Sequence, residues 1–469
     1  MAAVKEFDNR VMVVECPEYD VAKIRGIVEK GMATLGYAPR GKVVLKPNVV
    51  FAYDPKISSS TAYTSLDVVE ATARALAEKN EVSKISICEN AAIGNPSRFV
   101  FKWSGYRERV DRLKPELKKP LELVGIDEDR RTAVFIGGAV HSRVRLSKTF
   151  VAADTKIYLP KLKCHCVSKM TGTVKLNVGI LNFDERAIRH DFLLNEKIAD
   201  VTQAGWPDFV VMDAVDVGVG NEALPASRRL GLILMGRNAL AVDLAAGRLL
   251  GLSAERDVPY LAELIKRGYQ PSRLEDVKLL GDAANVSDLD KFAERIKPYD
   301  AEFYRWQDCN TEFKRMNSPF RLYQGPYSAA SDKLCETGCV MGIKMYLAFM
   351  ETFAGAEAFA KARPTTFIIG RIDQPVDARG GPVFIFGSCS QAKITNAKYV
   401  SKIDKCFVTA SDMALLVGNR TGIKSFFFSP KFLGSYVPAL LNSIVRKTFN
   451  GRYLQDFGEY LQQNLFRKI

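Results

Sequence analysis

The sequence predicts an α/β protein: a parallel (doubly wound) sheet core domain followed by a second, smaller α/β C-terminal domain. Two observations predict it. Several short runs rich in Val and Ile are apolar at nearly every position, and amphipathic stretches at helical spacing lie between them. A strand that is apolar throughout is buried on both faces, as in a parallel sheet covered by helices.

The strand-like runs are KVVLKPNVV (42–50), KISICENAA (84–92), TKIYLPKLKCH (155–165), DFVVMDAVDVGVG (208–220) and RLGLILMGRN (229–238). Between them, SLDVVEATARALAEKN (65–80) opens on a serine cap and then repeats apolar residues at helical spacing. ALAVDLAAGRLLGL (239–252) follows the same pattern. This alternation covers residues 1–290 as the core domain. A polar, aromatic connecting segment at 291–333 loses it. A cysteine-bearing α/β domain occupies 334–424, with a long helical pattern and strand-like TTFIIGR (365–371) and GPVFIFGSCS (381–390). A basic aromatic tail closes the chain at 425–469, and no internal repeat at a fixed period is read.

Composition narrows the function. The 469 residues are 47% hydrophobic and 26% charged, ordinary globular usage. The first ten residues lack the apolar segment of a leader, and no apolar run of spanning length exists. Nine cysteines without such a leader read as reduced thiols or metal ligands, and cytoplasmic residence is expected. The net charge of +14 fits an anionic small molecule, a membrane surface or nucleic acid. There is no RNP-like aromatic run, paired Cys/His finger or basic zipper, so nucleic acid is not expected. The tail, with Lys431, Arg446, Lys447, Arg452, Arg467 and Lys468, packs on the protein's own body or meets a membrane surface.

Ligands of open parallel sheets bind beyond the carboxyl ends of the strands. Those ends here carry Lys46, Asn48, Glu89, Asn90, Lys161, Lys163, His165, Asp213 and Asp216. Isolated caps explain an Asn or Asp at such a place, but lysine is no turn former. Two lysines flank one leucine beside one of only three histidines in the chain. Thr171-Gly172-Thr173, between Lys169 and Lys175, offers hydroxyls and backbone N–H groups as an anion cradle. The spacing is not that of a Walker loop, and Gly218-Val-Gly220 lacks a dinucleotide fingerprint, so it reads as a plain turn or a close backbone approach. His165, joined by His190, suits general acid–base work while Lys161 and Lys163 hold an anionic group. On a strand Cys164 and Cys166 face away from His165, so one metal centre using all three needs a loop.

The C-terminal domain has a different chemistry. Cys335 and Cys339 lie four apart, Cys389 follows a strand, and Cys406 sits at a turn. Four thiols from three segments suit a cubane or a tetrahedral ion, with Cys309 as a substitute ligand. No histidine follows His190, which leaves an iron–sulfur cluster (4Fe-4S), four-thiolate zinc, or ordinary buried cysteines.

LKPNVV, ICENA, LPKLKCHCVSKMTGTVKLNVGIL, VVMDAVDVGVGN and GRNALAVDLAAGRLLGL together resemble domain-of-unknown-function family three hundred and sixty-two, over about residues 40–255. The most specific part is Pro160, Lys161, Lys163, His165, Thr171, Gly172, Lys175, Asn177 and Gly179, with Asp243 in the later helix. The resemblance implies association with iron–sulfur segments. The C-terminal domain is similar to cysteine modules of some relatives, in which Cys335, Cys339, Cys389 and Cys406 would be ligands; Phe407-Val408 stands where those modules have two prolines. The expectation is redox or cluster-assisted chemistry on a small anionic metabolite, with a redox partner. Lys46, Lys161, Lys163 and Lys175 would bind the anion, with Thr171, Thr173 and Asn177 beside it. His165 would transfer protons, and Asn48, Glu89, Asp213 and Asp243 would orient groups or hold a cation. The alternatives are a non-catalytic electron-transfer or anion-binding module and a zinc-stabilised hydrolase or transferase.

Overall fold

A computed structural model describes residues 8–296 and 306–465. The first seven residues, part of the connecting segment, and Arg467 and Lys468 of the tail lie outside the described residues.

The large sheet uses β1 (Arg10–Glu15), β2 (Gly41–Pro47), β3 (Val82–Glu89) and β4 (Leu121–Gly125). A separate antiparallel hairpin, β5 (Arg131–Phe135) and β6 (Arg143–Ser147), lies beside it. The sheet continues with β7 (Thr155–Leu159), β8 (Lys161–His165), β9 (Lys169–Thr171), β10 (Phe209–Val219), β11 (Ala226–Gly236) and β12 (Lys278–Gly281). Its order is β12-β1-β11-β10-β7-β2-β3-β4, with β8 beside β10 and β9 beside β8.

Each apolar run is buried on both faces. Leu45, Ile87, Ile157 and Val211 enter one core, whereas Val44, Cys88 and Tyr158 enter another on the opposite side. The helix Leu66–Ala77 has Ser65 as its cap, its side chain accepting from the Asp67 N–H. Asn238 caps the helix Ala239–Leu249 in the same way.

The sheet is mostly parallel, but β11 runs antiparallel to both β10 and β1. This corrects the expectation that 229–238 is one more parallel strand. Only residues 220–225 join β10 to β11, and a parallel connection needs a crossover of a dozen or more residues.

The second sheet is all parallel: β13 (Phe320–Gln324), β14 (Thr365–Asp377), β15 (Pro382–Thr395) and β16 (Tyr399–Ile403), in chain order. Only residues 378–381 join β14 to β15. The chain solves this by coiling, and each coil advances by 17 residues: Thr366 faces Val383, and Pro382 faces Tyr399. Gly370 and Gly387 take the same corner with φ of 76° and 104°, which a side chain would resist. So a fixed period does exist here, in Phe-Ile-Ile-Gly370 and Phe-Ile-Phe-Gly387. It escapes a search for longer repeats because so few coils are present.

The C-terminal unit packs on the core domain. Phe349 and Phe426 belong to the same apolar core as Leu45 and Phe99, and Phe51 meets Phe349 edge-on at 5.0 Å. The tail forms helices Pro430–Phe449 and Arg452–Leu465. Phe432 packs against Tyr53 and Phe99, and Lys431 pairs with Asp54.

Candidate functional site

A polar cavity of about 100 Å³ lies where β2, β3 and β8 end. Its wall includes Lys46, Asn48, Glu89, Lys163, His165, Thr171 and Lys175. Arg186 and Glu222 also line it. A larger hollow of about 610 Å³ lies at the opposite, amino-terminal edge of the sheet, but its acids Asp8, Asp154 and Asp208 and its arginines Arg40 and Arg237 include no histidine, lysine or cysteine.

Alternation along β8 sets the wall. Leu162 and Cys164 enter the apolar core beneath, so Lys161, Lys163 and His165 face the other way. The strand ends at His165 and turns through residues 166–168. The turn swings Cys166 back beside His165, while Cys164 stays in the core.

The two lysines of β8 then part company. Lys161 Nζ lies 2.9 Å from Asp213 Oδ2 and 2.8 Å from the Tyr19 hydroxyl. Asp213 also accepts from the Ser65 N–H and the Tyr19 hydroxyl. That buried pair is complete in itself and does not line the cavity. Lys163 has no carboxylate partner: Nζ donates to Asn48 Oδ1 at 3.2 Å and to the carbonyls of Ala62 and Glu222. Burial pushes Lys163 down to about 7 against the pull of Glu222, with Lys175 and Lys161 adding to the drop. Gly218 explains how β8 comes this close to β10: a Cβ there would stand 2.8 Å from that of Lys163.

Lys46 differs again. Its Nζ lies 2.6 Å from Glu89 Oε1, and Glu89 also accepts from the N–H groups of Asn90 and Val49. Burial lowers the Lys46 pKa while Glu89 opposes the drop. Lys175 makes no hydrogen bond or ion pair among the described residues, and burial pushes it down to about 8. Arg186 donates Nη1 to the Ala91 carbonyl at 2.7 Å and leaves Nε without a partner. Thr171 Oγ1 and Asn90 Oδ1 are likewise buried and unpartnered. Buried polar atoms are nearly always hydrogen-bonded, to protein or to ordered water, so these three leave one small wall open to a polar partner, water or ligand.

His165 Nδ1 accepts from the N–H groups of Val167 and Ser168, both at 3.3 Å. Its proton therefore sits on Nε2, 3.5 Å from Glu222 Oε1. Burial, then Lys175 and Lys163, hold the imidazole well below its ordinary pKa, so it is neutral at pH 7. Ligand atoms of His165, Cys166 and Glu222 lie within 4.8 Å of one another, and all three residues are buried. A metal-bound histidine donates its second N–H to an acceptor; here that nitrogen faces two donors. The trio therefore suits proton handling between His165 and Glu222 better than an ion.

Of the remaining residues of the pattern, Gly179 lines the cavity and the others build the wall behind it. Asp243 accepts from the N–H groups of Thr173 and Val174 at 2.6 and 2.9 Å, and burial pushes it up to about 6. A Cβ on Gly172 would meet that carboxylate at 2.5 Å. Asn177 accepts from the Tyr158 hydroxyl and donates to Thr202. Gly179 leaves space for the Lys46–Glu89 pair, since a Cβ there would stand 2.8 Å from Lys46 Nζ. Asp213, Asp243, Thr173, Asn177 and Lys161 thus lie outside the cavity. Arg186 enters it from the short helix Phe183–Ala187 and Glu222 from a loop, and neither local sequence carries a signal beyond ordinary charge.

The thiols gather elsewhere. The β14–β15 register slips between Phe386 and Gln391, opposite Ile369 and Arg371, and the extra residues carry Cys389 outward. A Cβ on Gly387 would stand 3.2 Å from Cys339 Sγ and 3.8 Å from Cys389 Sγ. Burial pushes Cys335 up to about 12, with Cys339 and Cys406 adding to it. Burial likewise raises Cys339 to about 12, with Cys406 and Cys389 contributing. Cys339 thus stands near Cys335, Cys389 and Cys406. Cys309 is apart, buried in the C-terminal core beside Trp306. His190 bridges the two regions: its ring stacks on Phe407 at 4.5 Å, and its carbonyl lies against Gly338.

Comparison with known proteins bears on the first of these regions. Residues 43–248 match the model described as Domain of unknown function (DUF362). "Thylakoid-associated protein sll1697" of Synechocystis sp. is 26% identical over 264 residues, covering 54% of this chain and 77% of the relative. The solved lactate racemase apoprotein from Thermoanaerobacterium thermosaccharolyticum aligns at 12% identity and a TM-score of 0.32. The match spans 52% of this chain and 58% of that chain, a score too low to equate the two folds.

Proposed function

We propose that the cleft binds a small anionic metabolite and that Cys335, Cys339, Cys389 and Cys406 hold an iron–sulfur cluster beside it, for redox or cluster-assisted chemistry. One observation carries the anion: Lys163 and Lys175 face a cavity with no carboxylate bonded to either, beside the unpartnered Thr171 hydroxyl and Arg186 Nε. Lys163, Lys175 and Arg186 would bind the anion. Glu222 and the Nε2 proton of His165 would take and give a proton at the reacting atom.

The thiol set fits a cluster. Around one tetrahedral zinc, sulfurs at about 2.3 Å from the metal stand roughly 4 Å apart. Among the described residues only His165, Cys166 and Glu222 bring three ligand atoms within 4.8 Å of one another. The wider cysteine quartet suits a multi-iron cage, and Gly338 and Gly387 leave the sulfurs room. A cluster held there supplies one-electron transfer. Anaerobic purification with iron and acid-labile sulfide counts tests this. The reading expects both; zinc without sulfide favours the zinc-stabilised alternative, and neither metal leaves an anion-binding module.

We also propose that the tail meets an anionic membrane surface, although no helix among the described residues is long and apolar enough to cross a membrane. Leu433, Val437, Leu440, Leu441 and Ile444 recur at helical spacing and are exposed, beside the basic Arg446 and Lys447. The cyanobacterial relative is named as thylakoid-associated. Co-sedimentation with anionic vesicles should be lost in Leu441→Asp/Ile444→Asp; unchanged binding would dispose of this role.

A further inference from the structure

A second cavity, of about 190 Å³, opens from the polar one. The two share Val50, His165, Lys175, Val178, Arg186 and Glu222 as a common wall. Beyond that wall the lining changes character. Phe51 and Ile93 of the core domain face Met341, Met345, Phe349 and Phe407 of the C-terminal unit. This is an antechamber between the two units, mostly apolar with Asn95, His190, Thr409 and Ser411 also in its lining, and with the cations at its inner end.

We propose that the anion is amphiphilic: a monocarboxylate whose head lies against Lys163, Lys175 and Arg186 and whose apolar chain or ring fills the antechamber. The proposal rests on the anion-binding reading and names its substrate class. Small polar anions leave the aromatic and methionine wall unused, and a purely apolar ligand leaves the cations unpaired. Specific sites are largely apolar with a few placed polar groups that fix orientation, and these two chambers divide those duties between them. Met341 and Met345 are both half-buried there. Thioether side chains adapt to ligands of different outline, so the body should be recognised by volume and the head by charge. The chamber also runs to Phe407, the residue after Cys406. A chain or ring seated there lies between the lysines and the thiol quartet.

Calorimetry on the anaerobically purified full chain tests this with acetate and inorganic phosphate as head-only probes and hexanoate and phenylacetate as amphiphiles. Each buried methylene contributes roughly fourfold in affinity, so hexanoate should bind at least about tenfold tighter than acetate. Met345→Trp, or the milder Ala410→Leu should the first fail to fold, fills the antechamber and should bring the hexanoate-to-acetate ratio towards one. Lys175→Met should weaken all the carboxylates together. Equal affinity for acetate and hexanoate would overturn the amphiphile while leaving the anion cleft intact. Hexanoate binding that survives Lys175→Met would also overturn it, because the head would then lie elsewhere. No binding of any carboxylate or phosphate would overturn the anion-binding reading and this inference with it.

Discussion

The cleft of the large sheet and the cysteine rim of the coiled unit solve opposite problems. In the cleft, charge is buried: Lys46, Lys163 and Arg186 are held by carbonyls, amides and Glu89, and little about their positions is left free. At the rim, Cys389 and Cys406 are exposed and only Cys339 is buried. Its corners are made by glycines and a register slip rather than by a packed polar network. The difference teaches that the cleft is preorganised by folding, at the cost of desolvating its cations. The thiols are brought near one another and would be completed by what they bind.

That contrast can be broken or sharpened by substitution. The largest effect is expected at the rim: Cys339→Ser or Cys389→Ser should abolish iron and sulfide incorporation, read by metal analysis, while carboxylate binding stays within about twofold. Loss of carboxylate binding in the same variants would merge the two regions into one site. Next, Lys161→Met should cost about 3–5 kcal/mol of stability in denaturant unfolding, because it leaves Asp213 buried and unpaired. Its carboxylate affinity should be unchanged, since Lys161 lies outside the cavity. Lys175→Met has the reverse signature. Removing one charged hydrogen-bond partner should cost about 1.5–3 kcal/mol of anion binding, read by calorimetry, with no loss of iron. The smallest effect concerns pH. Burial holds Lys163 at about 7 and Lys175 at about 8, so Lys163 loses its proton as pH rises through 7 and Lys175 as it rises through 8. Carboxylate affinity should therefore fall at least about tenfold between pH 7 and pH 9. A flat profile would mean that neither lysine meets the anion.

Much of this was legible in the chain, and the exceptions have physical causes. The apolar runs identified a covered, mostly parallel sheet because burial on both faces leaves no polar position. The antiparallel β11 was legible only in the short 220–225 connection. Lys163, His165, Thr171 and Lys175 were found from their pattern, but the pattern could not separate them from Lys161, Asn177 and Asp243. Lys161 and Lys163 are locally alike, and what parts them is Tyr19 and Asp213, distant in sequence and adjacent in space. Arg186 and Glu222 were missed for the converse reason: each is an ordinary charge until the fold aims it at the others. The 17-residue coil was visible in two Phe-Ile-x-Gly stretches, Phe367–Gly370 and Phe384–Gly387, but only once their pairing gave the period a meaning.

The central claim is that lysines without carboxylate partners await an anion in the cleft. Its most direct test is calorimetry of carboxylate binding at pH 8 in two buffers of different ionisation heat. The account predicts net proton uptake on binding by the native chain and a smaller uptake, carried by Lys163 alone, in Lys175→Met. Binding without proton uptake, or uptake unchanged in that variant, would contradict it.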